Sequence, residues 1–121
     1  MRDVAPSPSS LRYAFPKGAR LLHRRQFQQV MQRGKRASSS LLLITLVQRS
    51  EGAVRMGVTV SRRYGKANLR NRFKRLVREA FRHCRHELAS GLEFNVLPGS
   101  RAAEATLEEV KSDLLRLLPK R

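Results

Sequence analysis

Residues 70–82 read RNRFKRLVREAFR, and this stretch decides the fold because it combines a clear helical period with an unusual charge. Its apolar residues recur at intervals of three and four positions, which places them on one face of an α-helix. Six of its residues are Lys or Arg, and Glu79 alone opposes them. The pattern, continued in both directions, predicts a helix over residues 69–89 that packs one face on a core. Its inward residues are Leu69, Phe73, Leu76, Val77, Ala80, Phe81, Cys84 and Leu88.

The positive charge extends over the whole chain. The 121 residues include 26 Lys or Arg and 9 Asp or Glu, so the formal net charge is +17 at pH 7. Because such a charge opposes folding by self-repulsion, the composition predicts a polyanionic partner. A membrane is disfavoured, since no segment has the run of about 18–20 apolar residues that a spanning helix needs. The N-terminus lacks the apolar centre of a secretory signal, so a cytoplasmic protein is expected.

The length and composition predict one folded domain with an N-terminal tail. Residues 1–19 are rich in Pro and Ser and are expected to be flexible, whereas residues 20–121 are expected to form a single α+β domain that binds the polyanion. Cys84 is the only cysteine, which excludes an internal disulfide, and its place on the apolar stripe predicts a role in core packing.

Three elements are predicted before the long helix. A short helix begins near Arg24 and ends at Gly34, where a glycine can stop it. A strand over 41–48 is apolar almost throughout, which predicts burial on both faces. A second strand, over 54–61, alternates between apolar and polar residues. These two strands are expected to pair as an antiparallel hairpin.

The C-terminal part supplies a strand and a last helix. Residues 93–97 are expected to form a short strand, and the segment from Thr106 to Glu109 fits a capping box that opens a helix ending near Leu118. For the long helix, Asn68 is the expected N-cap. The element order α-β-β-α-β-α predicts an α+β fold, a two-layer sandwich of helices on a small sheet.

The basic residues concentrate between positions 55 and 85, where 11 Lys or Arg stand against Glu79 alone. Like charges four residues apart destabilise a helix, and positive charge in its first turn opposes the macrodipole. A surface that served only solubility would mix its signs. Arginine engages phosphate with a planar pair of donors. The convergence of a strand end, a glycine loop and a basic helix start over 61–75 therefore predicts a phosphate-backbone-binding site.

Two segments carry a resemblance to a known family. Residues 55–67 read RMGVTVSRRYGKA and residues 70–81 read RNRFKRLVREAF, and together they resemble the bacterial ribonuclease P protein component. The segment FPKGARLL, at residues 15–22, is also similar to that family. The resemblance spans roughly residues 14–118.

The resemblance implies a fold, a partner and a reaction. The fold is similar to the ribosomal protein S5 domain 2-like fold, with a left-handed βαβ crossover, although the general rule for such units is the right-handed form. The partner is a large catalytic RNA. The complex is an endoribonuclease that removes the 5′ leader of precursor tRNA. The RNA carries the chemistry with Mg²⁺, which the RNA and the substrate mainly hold, so no residue of the protein is expected to be catalytic.

The resemblance also implies two surfaces. Residues near the start of the long helix would contact the catalytic RNA and nearby substrate phosphates, and a cleft between the first helix and the sheet would receive the single-stranded leader. The RNA-binding residues are Arg62, Arg63, Lys66, Arg70, Asn71, Arg72, Lys74, Arg75 and Arg78. The leader-cleft residues are Phe27, Met31, Leu42 and Ile44, where Met31 and Ile44 replace aromatics that are common in the family.

Other functions account for less of the pattern. A non-catalytic RNA-binding protein of the ribosomal type would share the charge but would not distinguish a precursor tRNA from a mature one. A helix-based DNA binder fits poorly, because strands surround the basic helix. A metal site at His83, Cys84 and His86 lacks a second pair of ligands, so no metal is predicted in the protein.

Phosphate binding makes a prediction about salt. If the protein neutralises about 6–10 phosphates, its affinity for RNA should fall about 10³–10⁵-fold between roughly 50 and 200 mM salt. A titration of labelled RNA at several salt concentrations measures this slope. A flat salt response would contradict the phosphate-binding hypothesis.

Overall fold

The structure of the chain is a computed structural model, and it describes residues 24–121. The predicted tail, residues 1–19, lies outside this range. The helices and strands are α1 (Arg24–Arg33), β1 (Lys35–Ser38), β2 (Leu42–Gln48), β3 (Arg55–Val58), α2 (Ala67–Cys84), β4 (Leu92–Pro98) and α3 (Leu107–Leu117). Short 3-10 turns occur at Arg62–Tyr64, Arg85–Glu87 and Ala102–Glu104. The α+β class is confirmed, with one strand more than predicted.

The four strands form one sheet in the order β1-β2-β4-β3. β4 pairs antiparallel with β2, from Leu42↔Pro98 to Gln48↔Leu92, and parallel with β3. The predicted hairpin between residues 41–48 and 54–61 is therefore wrong. β4 is an interior strand and its first five residues are buried on both faces, whereas the edge strand β3 fully buries Met56 alone. The β3–α2–β4 unit is a parallel crossover.

The connection from β2 to β3 wraps around the start of β4 instead of forming a tight turn. The Gly91 carbonyl accepts from the Arg49 amide, and the Gly91 amide donates to the Gly52 carbonyl. Gly91 has a φ of 78°, and a Cβ there would lie 2.5 Å from the Arg49 carbonyl oxygen. A glycine is required because both the backbone angle and the space exclude a side chain.

The main core lies between one face of the sheet and the helices α2 and α3. The rings of Phe81 on α2 and Phe94 on β4 meet edge to face, with centroids 5.7 Å apart. Val110 and Leu114 of α3 complete this layer. The predicted inward stripe of the long helix is thus confirmed for its central residues.

The start of α2 differs from the prediction. The helix begins at Ala67, and Lys66 stands at the N-cap without a side-chain hydrogen bond. Asn68 therefore lies inside the first turn, and its predicted capping role is wrong. Leu69 is 44% exposed rather than inward, because the core contact of this helix begins one turn later, at Phe73. The helix ends before the predicted boundary, where a 3-10 turn follows.

The short helix α1 packs on the other face of the sheet. Its Val30 is fully buried but lies outside the main core cluster. Gly34 ends the helix as predicted, and a Cβ at this position would lie 2.5 Å from Thr45 Cγ2 on β2. The chain then enters β1, a strand that the sequence pattern did not predict because its residues KRAS carry little apolar character.

The capping box of α3 makes a prediction about stability. The Thr106 hydroxyl accepts from the Glu109 amide at 3.3 Å, and the Thr106 amide donates to Glu109 Oε1 at 3.0 Å. Thr106→Ala should lower the free energy of unfolding by about 0.5–2 kcal/mol, measured by urea denaturation. Ser112→Ala, an exposed site in the same helix, is the matched control and should change it by less than about 0.5 kcal/mol. Equal losses of stability in Thr106→Ala and Ser112→Ala would contradict the capping role of Thr106.

The buried thiol of Cys84 makes a second prediction. Burial raises the pKa of this thiol from 9.0 to about 12, with the Glu87 carboxylate as a smaller cause. The native protein should therefore resist alkylation at about pH 8 and react fully in denaturant, as mass spectrometry would show. Rapid alkylation of the native protein would contradict the packing.

The same shift gives the thiol a pH-dependent contribution to stability. Above about pH 9 the unfolded chain loses the thiol proton while the native protein keeps it, so the contribution is fully present below that pH and falls as the pH rises toward about 12. Cys84→Ala should remove this component from the pH dependence of stability. Measuring the free energy of unfolding of the wild type and the variant between about pH 9 and 12 tests this.

Candidate nucleic-acid interface

Eight cations and Asn71 gather around the start of α2, and they are called the basic surface below. Seven of the nine residues are exposed, and Arg70 and Lys74 are half-buried. The basic surface comprises Arg62, Arg63, Lys66, Arg70, Asn71, Arg72, Lys74, Arg75 and Arg78. These are the predicted RNA-binding residues, and the structure brings them to one region of the fold.

Packing of one aromatic pair brings the two parts of the basic surface together. The 3-10 turn after β3 carries Arg62 and Arg63, and it closes through a hydrogen bond from the Tyr64 amide to the Ser61 carbonyl. The Tyr64 ring then packs against Phe73 of α2, with centroids 5.9 Å apart. The turn is thereby held against the first turns of the basic helix.

The basic surface carries no compensating acid in the part of the chain that the structure describes. None of its cations forms an ion pair with an Asp or Glu among residues 24–121. Glu79 lies further along α2, where it pairs with Arg82 and His83. The hydrogen bond from Arg82 lowers the pKa of Glu79 against the opposing effect of burial. The one acid of this helix therefore neutralises its later turns and leaves the first turns positive.

Two arginines of the basic surface differ in how the protein holds them: Arg72 forms a hydrogen bond within the protein, and Arg70 is partly buried. Arg72 donates from Nη2 to the Ala105 carbonyl at 3.1 Å, which ties it to the segment before α3. Arg70 is half-buried, and its Nε has no hydrogen-bond partner among residues 24–121. Because a guanidinium has five N–H donors, both side chains keep donors beyond these contacts.

Several charged side chains elsewhere in the described chain form ion pairs. On α3 and the turn before it, Arg101 pairs with Glu104 at 2.7 Å and Arg116 with Asp113 at 3.0 Å. Arg55 belongs by sequence to the basic stretch, but its guanidinium lies 3.3 Å from the buried carboxylate of Glu93. The unpaired positive charge of residues 62–78 therefore lies on the basic surface, while these other cations are balanced by acids.

The predicted leader cleft contains Met31, but the side chains of Leu42 and Ile44 point to the other face of the sheet. Asn95 of β4 contacts Met31 of α1, and the strand partner of Asn95 is Thr45, so Thr45 faces α1 as well. The alternation of β2 then turns Leu42 and Ile44 to the opposite face. Both belong to the main core and are at most 2% exposed. The assignment of Leu42 to the cleft is therefore a one-residue error of strand phase, whereas Ile44 borders the cavity beside Met31 although its side chain is almost fully buried.

A cavity of about 370 Å³ lies beside Met31, between α1 and the strands β1 and β2. Leu43, which is 44% exposed, contributes to its wall, and Phe27 is half-buried on α1 but does not line it. The sequence offered one sign of the correct phase, since Thr45 is the only polar residue within the apolar run. The other lining residues are Arg36, Ala37, Ser38, Ile44, Thr45 and Leu97.

A second, polar hollow lies near the first turns of α1, with a volume of about 350 Å³. On its wall, Glu93 is held between Arg49 at 3.0 Å and Arg55 at 3.3 Å, and its side chain is 4% exposed. Arg49 also donates to Gln29 of α1 at 2.9 Å. This ion-pair group around the buried Glu93 carboxylate was not predicted, because Arg49 and Arg55 are distant from Glu93 in the chain.

The described residues also limit other kinds of site. Across residues 24–121, no group of three His, Cys, Asp or Glu side chains is close enough to hold a metal ion. His83 and His86 instead lie beside Glu79 and Glu87. In the same range, every helix is too short or too polar to cross a membrane.

Comparison with known proteins places this geometry in a family. Residues 15–121 match the family model described as Ribonuclease P. The ribonuclease P protein component of Chlamydia abortus is 39% identical over 109 residues, which cover 89% of this chain and 77% of that protein. The corresponding protein of Desulfosudis oleivorans is 37% identical over 108 residues, 89% of each chain.

A solved structure agrees with both the fold and the family. The RNase P protein of Thermotoga maritima superimposes with a TM-score of 0.72 and 31% sequence identity, over 82% of this chain and 94% of that one. The four-stranded sheet with its three helices is therefore a fold found in a solved RNase P protein, and the chain belongs to the ribonuclease P protein family.

Proposed function

We propose that the chain is the protein subunit of a bacterial ribonuclease P and acts with a catalytic RNA in the cytoplasm. The complex hydrolyses precursor tRNA and releases the 5′ leader. The observation that carries the proposal is the basic surface, where eight cations meet at one helix start with no acid partner among residues 24–121. Such a surface is stable in the presence of a polyanion, because phosphates supply the charges that the protein lacks.

The two parts of the site would have different tasks. The basic surface would bind phosphates of the catalytic RNA and of the nearby substrate, since arginines and the amides of a helix N-terminus both favour phosphate. The cleft between α1 and the sheet would receive the single-stranded leader. Leu43 and Met31 give it apolar walls, and Arg36 supplies a cation beside them.

The chemistry itself is assigned to the RNA. A two-metal hydrolytic site needs clustered oxygen ligands, and the described carboxylates do not form such a cluster: Glu79, Glu93 and Asp113 are each paired with arginine. The protein residues thus do not fit a Mg²⁺ site of their own. Mg²⁺ would be held by the RNA and substrate phosphates, and the protein would reduce the repulsion between those two polyanions.

The second candidate is a basic RNA-binding protein of the ribosomal type. It would use the same basic surface and explain the same salt dependence. It gives no role to the cavity beside Met31, because a purely structural RNA binder has no single-stranded leader to place. Binding of leader-bearing and mature tRNA by the protein–RNA complex separates the two functions, since only the ribonuclease P subunit should favour the precursor.

Reconstitution tests the proposed function directly. The protein alone should not cleave precursor tRNA, but it should stimulate a bacterial ribonuclease P RNA at low Mg²⁺. A triple variant in which Arg70, Arg72 and Arg75 are changed to Gln loses about three phosphate contacts that release counterions. Its affinity for that RNA should therefore fall about 10-fold or more at near-physiological salt. Filter binding and cleavage rates measure both effects.

A charge-matched variant controls for net charge. Changing Arg101, Arg116 and Lys120 to Gln removes the same number of charges from outside the basic surface, where the two arginines are already paired with acids. It should leave RNA affinity within about 3-fold of the wild type, because Arg101 and Arg116 already have acid partners and exposed charges are screened by salt. Equal losses in both triple variants would contradict the basic surface, and a folded wild type that never stimulates the RNA would refute the proposed function.

A further inference from the structure

The face of the sheet that meets α1 carries buried polar side chains. Thr45, Glu93 and Asn95 are the buried polar residues of the described chain, and strand register places all three on this face. Glu93 is satisfied by two arginines. Asn95 is different, because it is fully buried and its amide group is poorly satisfied.

The hydrogen bonds of Asn95 are few and weak. Its Oδ1 accepts from the Thr59 hydroxyl at 3.3 Å. Its Nδ2 has one partner within residues 24–121, the thioether sulfur of Met31, at 3.8 Å. A thioether is a weak acceptor, and an amide buried without a good partner is costly. The contacts that the structure gives Asn95 therefore do not explain it as a stabilising residue.

The position of Asn95 offers another explanation. Its backbone partner across the sheet is Thr45, which lines the cavity beside α1, and Met31 both contacts the Asn95 amide and forms part of the cavity wall. Methionine is unbranched and has three rotatable side-chain bonds, so it changes rotamer readily. A Met31 rotamer change would open the Asn95 amide to a molecule in the cavity.

The cavity has the chemistry of a nucleotide site. Leu43 and Leu97 provide apolar walls for the faces of a base, and Arg36 supplies a cation for a phosphate. An asparagine amide offers a donor and an acceptor side by side, which is how this side chain recognises the edge of a base. Oδ1 of Asn95 keeps one lone pair free beyond the bond from Thr59.

We propose that Asn95, covered by Met31, reads the edge of one nucleobase of single-stranded RNA in the cavity between α1, β1 and β2. The base replaces the thioether as the acceptor for Nδ2. This inference rests on the proposed function for the identity of the RNA, the 5′ leader. It makes Asn95 a specificity-determining residue of this chain, at a position that the sequence pattern marked only as part of a strand.

The test uses the reconstituted protein–RNA complex and precursor tRNAs that carry A, G, C or U at each leader position near the cleavage site. At one position, the wild type should show a spread in dissociation constant of about 5- to 150-fold between the best and worst nucleotide, the range of one good side-chain–base pair. Asn95→Val should reduce that spread to less than about 2-fold. Its melting temperature should equal or exceed that of the wild type, because the variant removes a poorly satisfied buried amide.

Val96→Ala is the matched control, since Val96 is the next residue of β4 and faces the main core. It should lower the melting temperature and leave the spread between nucleotides unchanged. A spread that survives in folded Asn95→Val overturns the inference, as does a wild type that favours leader-bearing tRNA equally for every nucleotide. A marked fall in the melting temperature of Asn95→Val would show a structural amide and would also overturn it.

A separate measurement distinguishes this inference from the proposed function. Short single-stranded RNAs of different sequence can be bound to the free protein and to free Asn95→Val. If the wild type fails to stimulate the catalytic RNA yet shows sequence-dependent binding that the variant loses, the proposed function fails and the Asn95 site stands. If stimulation is normal and no sequence dependence exists in either assay, only the Asn95 site fails.

Discussion

The packing of α2 on the sheet is the constraint on which the rest of the molecule depends. Each repulsive pair of cations along the helix costs a few tenths of a kcal/mol. Burial of Phe73, Val77 and Phe81 contributes about 1.5–3 kcal/mol for each side chain. Packing therefore outweighs repulsion, and the helix can hold its basic residues in a fixed arrangement before any RNA is present. A phosphate ligand then meets a preformed surface and need not order it.

The distribution of acids determines where the positive charge remains. Several acids are engaged away from the start of α2: Glu79 by Arg82, Glu93 by Arg49 and Arg55, and Glu108 and Asp113 of α3 by cations of the same helix. A net charge of +17 spread evenly would give weak attraction to any polyanion. Because unpaired positive charge is concentrated at the start of α2 and the adjoining turn, a polyanion is attracted to that one surface.

Features set by neighbouring residues were predictable from the sequence, whereas those set by distant residues were not. The long helix, the stop at Gly34 and the capping box at Thr106 follow local rules, and the structure has all three. The basic surface was predictable for the same reason, because most of it lies within one helix. Strand order was not, since nothing in β2 or β3 shows that β4 inserts between them.

The cleft is the clearest case of a site that sequence reasoning reaches only in part. It combines α1, β1, β2 and β4, and β2 is apolar on both of its faces, so alternation could not tell Leu42 from Leu43. Thr45 was the only sign of which face is which, and its meaning depends on its position beside Gly34, the residue that follows α1. Without the structure, the assignment of cleft residues rested on the resemblance, which does not carry strand phase.

The two faces of the sheet also differ in how firmly they hold their helices. α2 buries five residues fully, whereas α1 buries Val30 alone and meets a face that contains Thr45, Glu93 and Asn95. At about 1.5–3 kcal/mol for each buried apolar side chain, α1 is held several kcal/mol less firmly than α2. A ligand that enters the cleft therefore displaces packing that is weaker than that of α2, while the basic surface on α2 keeps its geometry. Phosphate binding and leader binding can then occur on one small domain without one disturbing the other.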